Sequence, residues 1–420
     1  MTEAVRKLFL GGRDEILIRV TAVASNNEPR VRHCRVYCCA DALPARVFTQ
    51  PGPNPDIAID GIAGLRFASA REIDTSSSPS VTVQMRVKRC RGAQMKQKMK
   101  FEGLVADYKL KPDELVDAVT PTSDLFVLAH LGVPDISLDT WSLTLDGLVE
   151  RPMKFDFAGI TKFPKRTLLA VHKCSGSPLK PTVPTRQVAN VEWAGIDLHD
   201  FLSAAGAAPN ATYLWAYGLD NGEFAGHEQD SYLKDVPLSR VREEGALLAY
   251  ELNGQPLPLE HGFPLRLVVP GFYGTNNVKW LHKLHVATER ARSAFTTTYY
   301  NDPLPGKDAT KPVWEIEPEC QFVYPDADAD VPVGDVEVWG WCWSECDVIR
   351  VEISLDDGCS WQNAFVEPRR QWSWQRFSHT LHIDTPGEVN LACRATDANG
   401  RTQPLSSARN EVYSIRLTAT

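Results

Sequence analysis

The segment NDPLPGKDATKP, residues 301–312, separates two kinds of hydrophobic pattern, and that change limits what the chain can fold into. Beyond it, the runs DVEVWGWCW, VIRVEISLDDGCSWQNAFV, WSWQRFSHTLHI and EVNLACRATD alternate with period two and meet at turn clusters such as Asp356-Asp357-Gly358 and Asn399-Gly400. Alternation of this kind puts every second side chain on one face, so these runs are expected to form an antiparallel sandwich over residues 311–420. Cys342 and Cys393 fit either the paired cysteines of an immunoglobulin-like domain or two buried free thiols, and the free thiols are the better reading.

Before the linker the pattern is α+β. WSLTLDGLV alternates as a strand, FPLRLVVPG is a short apolar strand ending in a turn, and DLHDFLSAAG sets Leu198, Phe201 and Leu202 on one helical face before stopping at Gly206. These elements outline a domain over residues 101–310. Residues 1–100 read as an unassigned basic region. They carry 17 Lys/Arg against 9 Asp/Glu, a net +8, in a chain whose total is −8. Their basic run RVKRCRGAQMKQKMK is expected to be solvated and flexible.

An acidic total argues against nucleic acid as the partner, since phosphate binding needs clustered positive charge. No apolar run approaches the roughly 18 residues of a membrane span. The ten cysteines lack the paired spacing of a structural zinc site, and with no legible address the chain is expected in the cytoplasm, mitochondrion and peroxisome remaining open.

One cysteine stands apart. In RTLLAVHKCSGSPLKP, an apolar strand runs into a loop of small residues whose first member is Cys174. A lone thiol there is ordinarily an inert buried group. Its setting changes that reading, because the stretch from about residue 120 to 416 resembles the sulfite oxidase family of molybdopterin-dependent oxidoreductases. The resemblance is carried by DLFVLAHLGVPDISLDTWSLTLDGLV, HKCSGSPLKP, VEWAGIDLHDFLSAAG, LAYELNGQPLPLEHGFPLRLVVPGFYGTNNVKWLHKLHV and GWCWSECDVIRVEISLDDGCSWQ.

The resemblance implies a sulfite-oxidase-type molybdopterin-binding domain followed by an immunoglobulin-like dimerisation domain, with molybdenum and molybdopterin as cofactors and a homodimer as the assembly. It places the metal-binding thiolate at Cys174, and a soft thiolate suits that metal. It places cofactor contacts at Phe126, His130, Asp220, His261, Arg266, Asn277, Val278 and Lys279. Arg266 and Lys279 offer charge to a phosphate, and the turn GFYGTNNVKW offers backbone N–H groups. It places an active-site tyrosine at Tyr300, with Tyr299 as the neighbouring register, and an arginine of the second domain at Arg416.

The chain departs from that pattern where the substrate anion would sit. The family has arginines at the places held here by Leu128, Ser177, Pro178 and Leu179. Lys180 and Arg186 are nearby cations that could reach the same space, although an ammonium lacks the bidentate fork of a guanidinium. The expected function is oxygen-atom transfer on a small anionic or polar substrate, sulfite first, with electrons passing to an external one-electron acceptor or oxygen. Two alternatives remain: a molybdenum oxidoreductase for another substrate, or a silent relative that keeps the fold as a binding or scaffold protein.

Overall fold

In a computed structural model, the structure describes residues 105–107, 110–177, 184–242, 245–304, 306–406 and 409–420, and three strand backbones nearer the N-terminus. The chain divides after Met99 into two units. In the first, Glu15–Val23 is the central strand, pairing antiparallel with Pro29–Tyr37 on one side and Val81–Gln84 on the other. The basic run at residues 86–100 lies outside the described residues.

The second unit begins with two five-stranded sheets. One runs in the order Leu233–Pro237, Tyr213–Gly218, Leu281–Ala287, Leu143–Gly147, Met153–Phe155, with a single parallel pairing between Leu281–Ala287 and Leu143–Gly147. Tyr213–Gly218 buries alternate residues, including Leu214 and Ala216, as its sequence periodicity requires. The other sheet is Gln255–Pro256, Leu247–Leu252, Val188–Asp197, Lys165–Lys173, with Arg266–Val268 added along Leu247–Leu252. Val188–Asp197 is covered on both faces, so nine of its ten residues are buried, Asn190 among them. Gly195 is obligatory within it: a Cβ there would meet the Leu248 carbonyl oxygen at 2.1 Å.

Helices contribute little. Phe157–Ile160, Leu198–Ala205 and Leu238–Arg242 have four, eight and five residues, so strands carry most of the α+β domain. In Leu198–Ala205, the Asp197 carboxylate accepts from the His199 and Asp200 N–H groups, and Gly206 ends the helix at φ 68°. Leu198, Phe201, Leu202 and Ala205 face the core.

The C-terminal strands form a sandwich. Glu319–Tyr324, Gly334–Trp343, Gln375–Ile383 and Phe365–Val366 make one sheet; Ala329–Val331, Ser414–Ala419, Gly387–Asp397, Val348–Ser354 and Gln362–Asn363 make the other. Val338, Cys342, Phe377, Leu391, Cys393 and Leu417 fill the space between them. Cys320, Cys342 and Cys393 are free thiols, as an apolar interior accommodates them.

The sandwich and the preceding sheets share an interface. The Trp341 and Trp374 rings stack at 4.7 Å, and their indole N–H groups donate to the Leu115 and Ala118 carbonyls at 2.7 and 3.1 Å. Trp372 exchanges backbone hydrogen bonds of 3.0 Å with Leu169 and Val171. Tyr273, Val171 and Val188 pack with Trp343, Trp341 and Val323 in one apolar cluster, so the sheet that delivers Cys174 ends against the C-terminal domain.

A candidate cofactor site

Cys174 is the first residue after the Lys165–Lys173 strand. Its N–H donates to the Gln187 carbonyl at 2.9 Å, and its sulfur accepts from the Gly176 N–H at 3.4 Å. The loop is pinned again at Ser177, whose hydroxyl accepts from the Arg186 and Gln187 N–H groups at 3.1 and 3.0 Å. Burial pushes the Cys174 thiol up, opposed by the Gly176 N–H and the nearby charges of Lys173 and Arg409. Ionising this sulfur therefore calls for a stronger electrophile than the protein supplies, which a metal ion is.

Cys174 lines a cavity of about 60 Å³. Phe126, His130, Asp220, His261, Arg266, Asn277, Lys279 and Tyr300 also line it. They are distant in sequence: Arg266 lies on the Arg266–Val268 strand, and the others lie on short turns and connections between elements. Arg266 is buried; it donates to the His261 carbonyl at 3.0 Å, lies 3.1 Å from His172 Nε2, and crosses the face of Trp193 at 4.9 Å. Burial lowers it to about 9. Lys279 donates to the Glu260 carbonyl at 2.9 Å and lies over Trp280 at 4.2 Å; burial and Arg266 lower it to about 7. Asp220, buried beside them, is pushed up to about 7 by burial against the pull of Lys279. His130 is lowered to about 4 by burial, then by Lys279 and Lys234. A neutral His130 in its Nδ1–H tautomer accepts from the Tyr300 hydroxyl, 2.5 Å away.

A buried guanidinium, an ammonium, a thiol and a carboxyl held in one cavity are an unfavourable set without a ligand. Arg266 Nε, Asp220 Oδ1 and His172 Nδ1 have no hydrogen-bond partner among the described residues. These unpartnered polar atoms, with two neighbouring cations, fit an anionic group rich in ring nitrogens and oxygens, and the thiol fits a soft metal beside it. Molybdopterin with its phosphate and its metal is such a group. Among the described residues no three His, Cys, Asp or Glu side chains form a metal cage of their own, so the remaining ligands of the metal would come from the pterin.

Several sequence expectations need correction. Val278 is fully buried in the apolar core and its carbonyl accepts from the Leu267 N–H at 2.9 Å, so its side chain does not line the cavity. Arg416 lies on Ser414–Ala419 at an outward position, with Ile415 and Leu417 turned inward, and it meets Asp328 at 3.6 Å. The alternation of that strand directs it away from the site. Arg409, seven residues earlier, is the arginine that the second domain brings to the cysteine loop: it donates to the Ser175 carbonyl at 2.8 Å and pairs with Asp302. Arg186 is exposed and donates to the Leu110 carbonyl at 3.3 Å. Lys180, Pro178 and Leu179 lie outside the described residues. Leu128 lines the cavity and Ser177 is occupied by backbone, so neither contributes charge. Tyr300, rather than Tyr299, reaches the cavity; Tyr299 packs on Phe224 at 5.1 Å.

His172, Tyr232 and Arg409 belong to the site's surroundings and were not legible beforehand. His172 had a signal: it is two residues before Cys174 on a strand and therefore shares its face. Its ring stacks on Phe126 at 5.1 Å, and burial and Arg266 keep it neutral. Tyr232 stacks on His130 at 5.4 Å and its hydroxyl meets the Thr275 carbonyl at 2.9 Å.

Residues 130–295 match the family described as oxidoreductase molybdopterin binding domain, and residues 310–416 match the Mo-co oxidoreductase dimerisation domain. Sulfite oxidase of Gallus gallus is 30% identical over 324 residues, covering 69% of this chain and 69% of that protein. The mitochondrial sulfite oxidase of Rattus norvegicus is 31% identical over 70% of this chain; the chain spans 59% of that protein's length. Among solved structures, the sulfane dehydrogenase SoxCD of Paracoccus pantotrophus superposes with a TM-score of 0.66 at 25% identity, over 76% of this chain and 86% of that one. Among the described residues no helix is long and apolar enough to cross a membrane.

Proposed function

This chain belongs to the sulfite oxidase family of molybdopterin-dependent oxidoreductases, and from that premise we propose that it catalyses oxygen-atom transfer to a small polar or anionic substrate, with sulfite the first to test. The observation that supports this reading is the convergence of Cys174, His130, Arg266, Lys279 and Tyr300 on one cavity. The bound molybdenum–molybdopterin group would supply the two-electron oxidation, and electrons would leave singly to an external acceptor or to oxygen.

The chain's own contribution is placement and charge. Cys174 would hold the metal as a thiolate, which removes the burial penalty on that sulfur. Arg266 and Lys279 would grip the cofactor's phosphate, their mutual repulsion turned into attraction for it. Asp220, His261, His172 and Phe126 would orient the ring system. Tyr300, which lines the cavity, would turn its O–H from His130 toward the place where negative charge develops during transfer.

A substrate other than sulfite is the second reading, and Leu128 favours it. The family's arginine there would meet an oxyanion, whereas a leucine lining the cavity offers no donor. Arg409 is the guanidinium nearest the cysteine loop in its contacts, and part of its charge is spent on Asp302. A silent relative is disfavoured because the cavity would then keep Arg266 buried with its Nε unpartnered among the described residues.

Elemental analysis of protein made in a host that produces the cofactor should find molybdenum, and its absence from folded protein would remove the oxidoreductase reading. Sulfite-dependent reduction of ferricyanide by molybdenum-replete protein tests the substrate; an inert holoprotein would leave the class intact and exclude sulfite. The match to a dimerisation domain supports a homodimer, and sedimentation showing only monomer at micromolar concentration would contradict it.

A further inference from the structure

Lys234 lies beside this site and has no part in the roles given above. It sits on the Leu233–Pro237 strand with 1% of its surface exposed. Its Nζ donates to the Phe295 carbonyl at 2.8 Å and lies 5.0 Å from the centroid of the Tyr300 ring. Among the described residues it forms no ion pair. The carboxylate next to it in sequence, Asp235, points to the other face of the strand and is engaged by Arg290 through two bonds of 2.9 Å and by the Ala291 N–H at 3.0 Å.

A buried amine with no carboxylate is held by its two contacts, and both lie on the segment that delivers the active-site tyrosine. That segment is unusual. Ala294–Thr298 is a single π-helical turn, a form found mostly where a helix is bent for function. Tyr300 follows at φ 59°, a left-handed conformation that an aromatic residue adopts only when its surroundings impose it. The Leu233–Pro237 strand supplies those surroundings: the Ser293 hydroxyl donates to the Leu233 carbonyl at 2.9 Å, and Arg290, bound to Asp235, donates to the Thr296 carbonyl at 3.1 Å. Lys234 completes the set and is its only member that also touches the Tyr300 ring among the described residues.

We propose that Lys234 is a positioning residue for the reaction, tethering Phe295 and underlying the ring of Tyr300 so that the phenol oxygen is held beside His130 Nε2 in the cavity lining. The effect has two components. The tether to Phe295 fixes the turn and operates whether the amine is charged or neutral. A cation against the ring face draws electron density from the π system and makes the phenol a stronger hydrogen-bond donor. In a pocket where Leu128 stands in place of a guanidinium, this lysine in its protonated form, which burial lowers to about 7, is a different way to set positive charge near the developing negative charge. This inference rests on the oxidoreductase reading for its catalytic consequence, but the placement of Tyr300 can be read without it.

The test uses the full chain with Lys234→Met, Lys234→Arg, Tyr300→Phe and the Lys234→Met/Tyr300→Phe double variant. In molybdenum-replete protein, Lys234→Met should lower kcat about tenfold or more with KM little changed, the scale on which a small misplacement of a catalytic group acts. In the Tyr300→Phe background the same substitution should cost less than about threefold, because residues acting as one unit are non-additive. Lys234→Arg, which keeps the charge and a donor, should recover part of the loss. The second readout needs no turnover: in protein labelled with 13Cζ-tyrosine, the Tyr300 resonance, identified by its loss in Tyr300→Phe, should shift in Lys234→Met and return toward its original position in Lys234→Arg. An unmoved Tyr300 resonance in folded Lys234→Met overturns the proposal, as does an equal loss of kcat with and without the Tyr300 hydroxyl. If Lys234→Met does not fold, a Tyr300 resonance and kcat both unchanged in Lys234→Gln, which removes the charge, overturn it in the same way. Protein inert to sulfite but showing the resonance shift would sink the substrate assignment and leave the positioning role standing.

Discussion

Asp220 and Lys279 show how a single cavity changes the ordinary behaviour of its residues. Burial raises Asp220 from 3.8 to about 7, so the folded state keeps a proton between those pH values that the unfolded chain gives up. Stability then falls as pH rises through that window. Lys279, lowered from 10.5 to about 7, has the opposite sign: the unfolded chain holds the extra proton, and stability is lost as pH falls from 10.5 toward 7. Cofactor-free protein is therefore expected to lose stability between pH 4 and 7 more steeply than the Asp220→Asn variant, as chemical denaturation at each pH would show; parallel curves would refute the assignment. Cys174→Ser should reduce molybdenum retention by more than about 100-fold, beyond what loss of an outer partner costs, with an unchanged melting temperature of the cofactor-free protein. Leu128→Arg should lower KM for sulfite by roughly 10- to 100-fold if sulfite is a substrate, since a charge-assisted hydrogen bond contributes about 1.5–3 kcal/mol. Steady-state kinetics against sulfite would read it.

At the level of elements, the end of the Lys165–Lys173 strand is the critical one. Lys173 is buried between Tyr273 and Trp343, 5.7 and 5.8 Å from their ring centroids, and pairs with Glu319 of the C-terminal sandwich, which also accepts from the Thr185 hydroxyl. The residue preceding Cys174 is thus tied across the domain boundary, while Arg409 ties the residue following it. Removing one partner of a buried pair leaves the other charge uncompensated, so Glu319→Gln should destabilise by about 3–5 kcal/mol. Adding Lys173→Met should recover most of that loss, measured by denaturant unfolding; additive losses would show that the two side chains do not act as a pair. The strand itself was readable, since its apolar run and the loop of small residues after it are local features. Its ion pair was not, because Lys173 and Glu319 are 146 positions apart and neither has a local pattern that marks it as buried.

Across the whole molecule, the sandwich does more than cover a surface. Leu115, Val171, Val188 and Tyr273 share a cluster with Val323, Trp341, Trp343 and Trp374, so the core of one domain is completed by the other. Residues 100–420 are therefore expected to unfold in one cooperative transition, seen as coincident calorimetric and tryptophan-fluorescence profiles; two separated transitions would show independent domains. The sequence alone determined the strand pattern on both sides of the linker and the Leu198–Ala205 helix with its glycine stop, because periodicity and turn residues are written in short stretches, while most of the residues that meet in the cavity were implied by the family resemblance. Only the tertiary structure decided that Arg409 rather than Arg416 reaches the cysteine loop, that Val278 faces the core, and that Lys234 lies under Tyr300. Those outcomes depend on which face a strand turns inward and on where a distant turn ends, and a one-residue change of register reverses both.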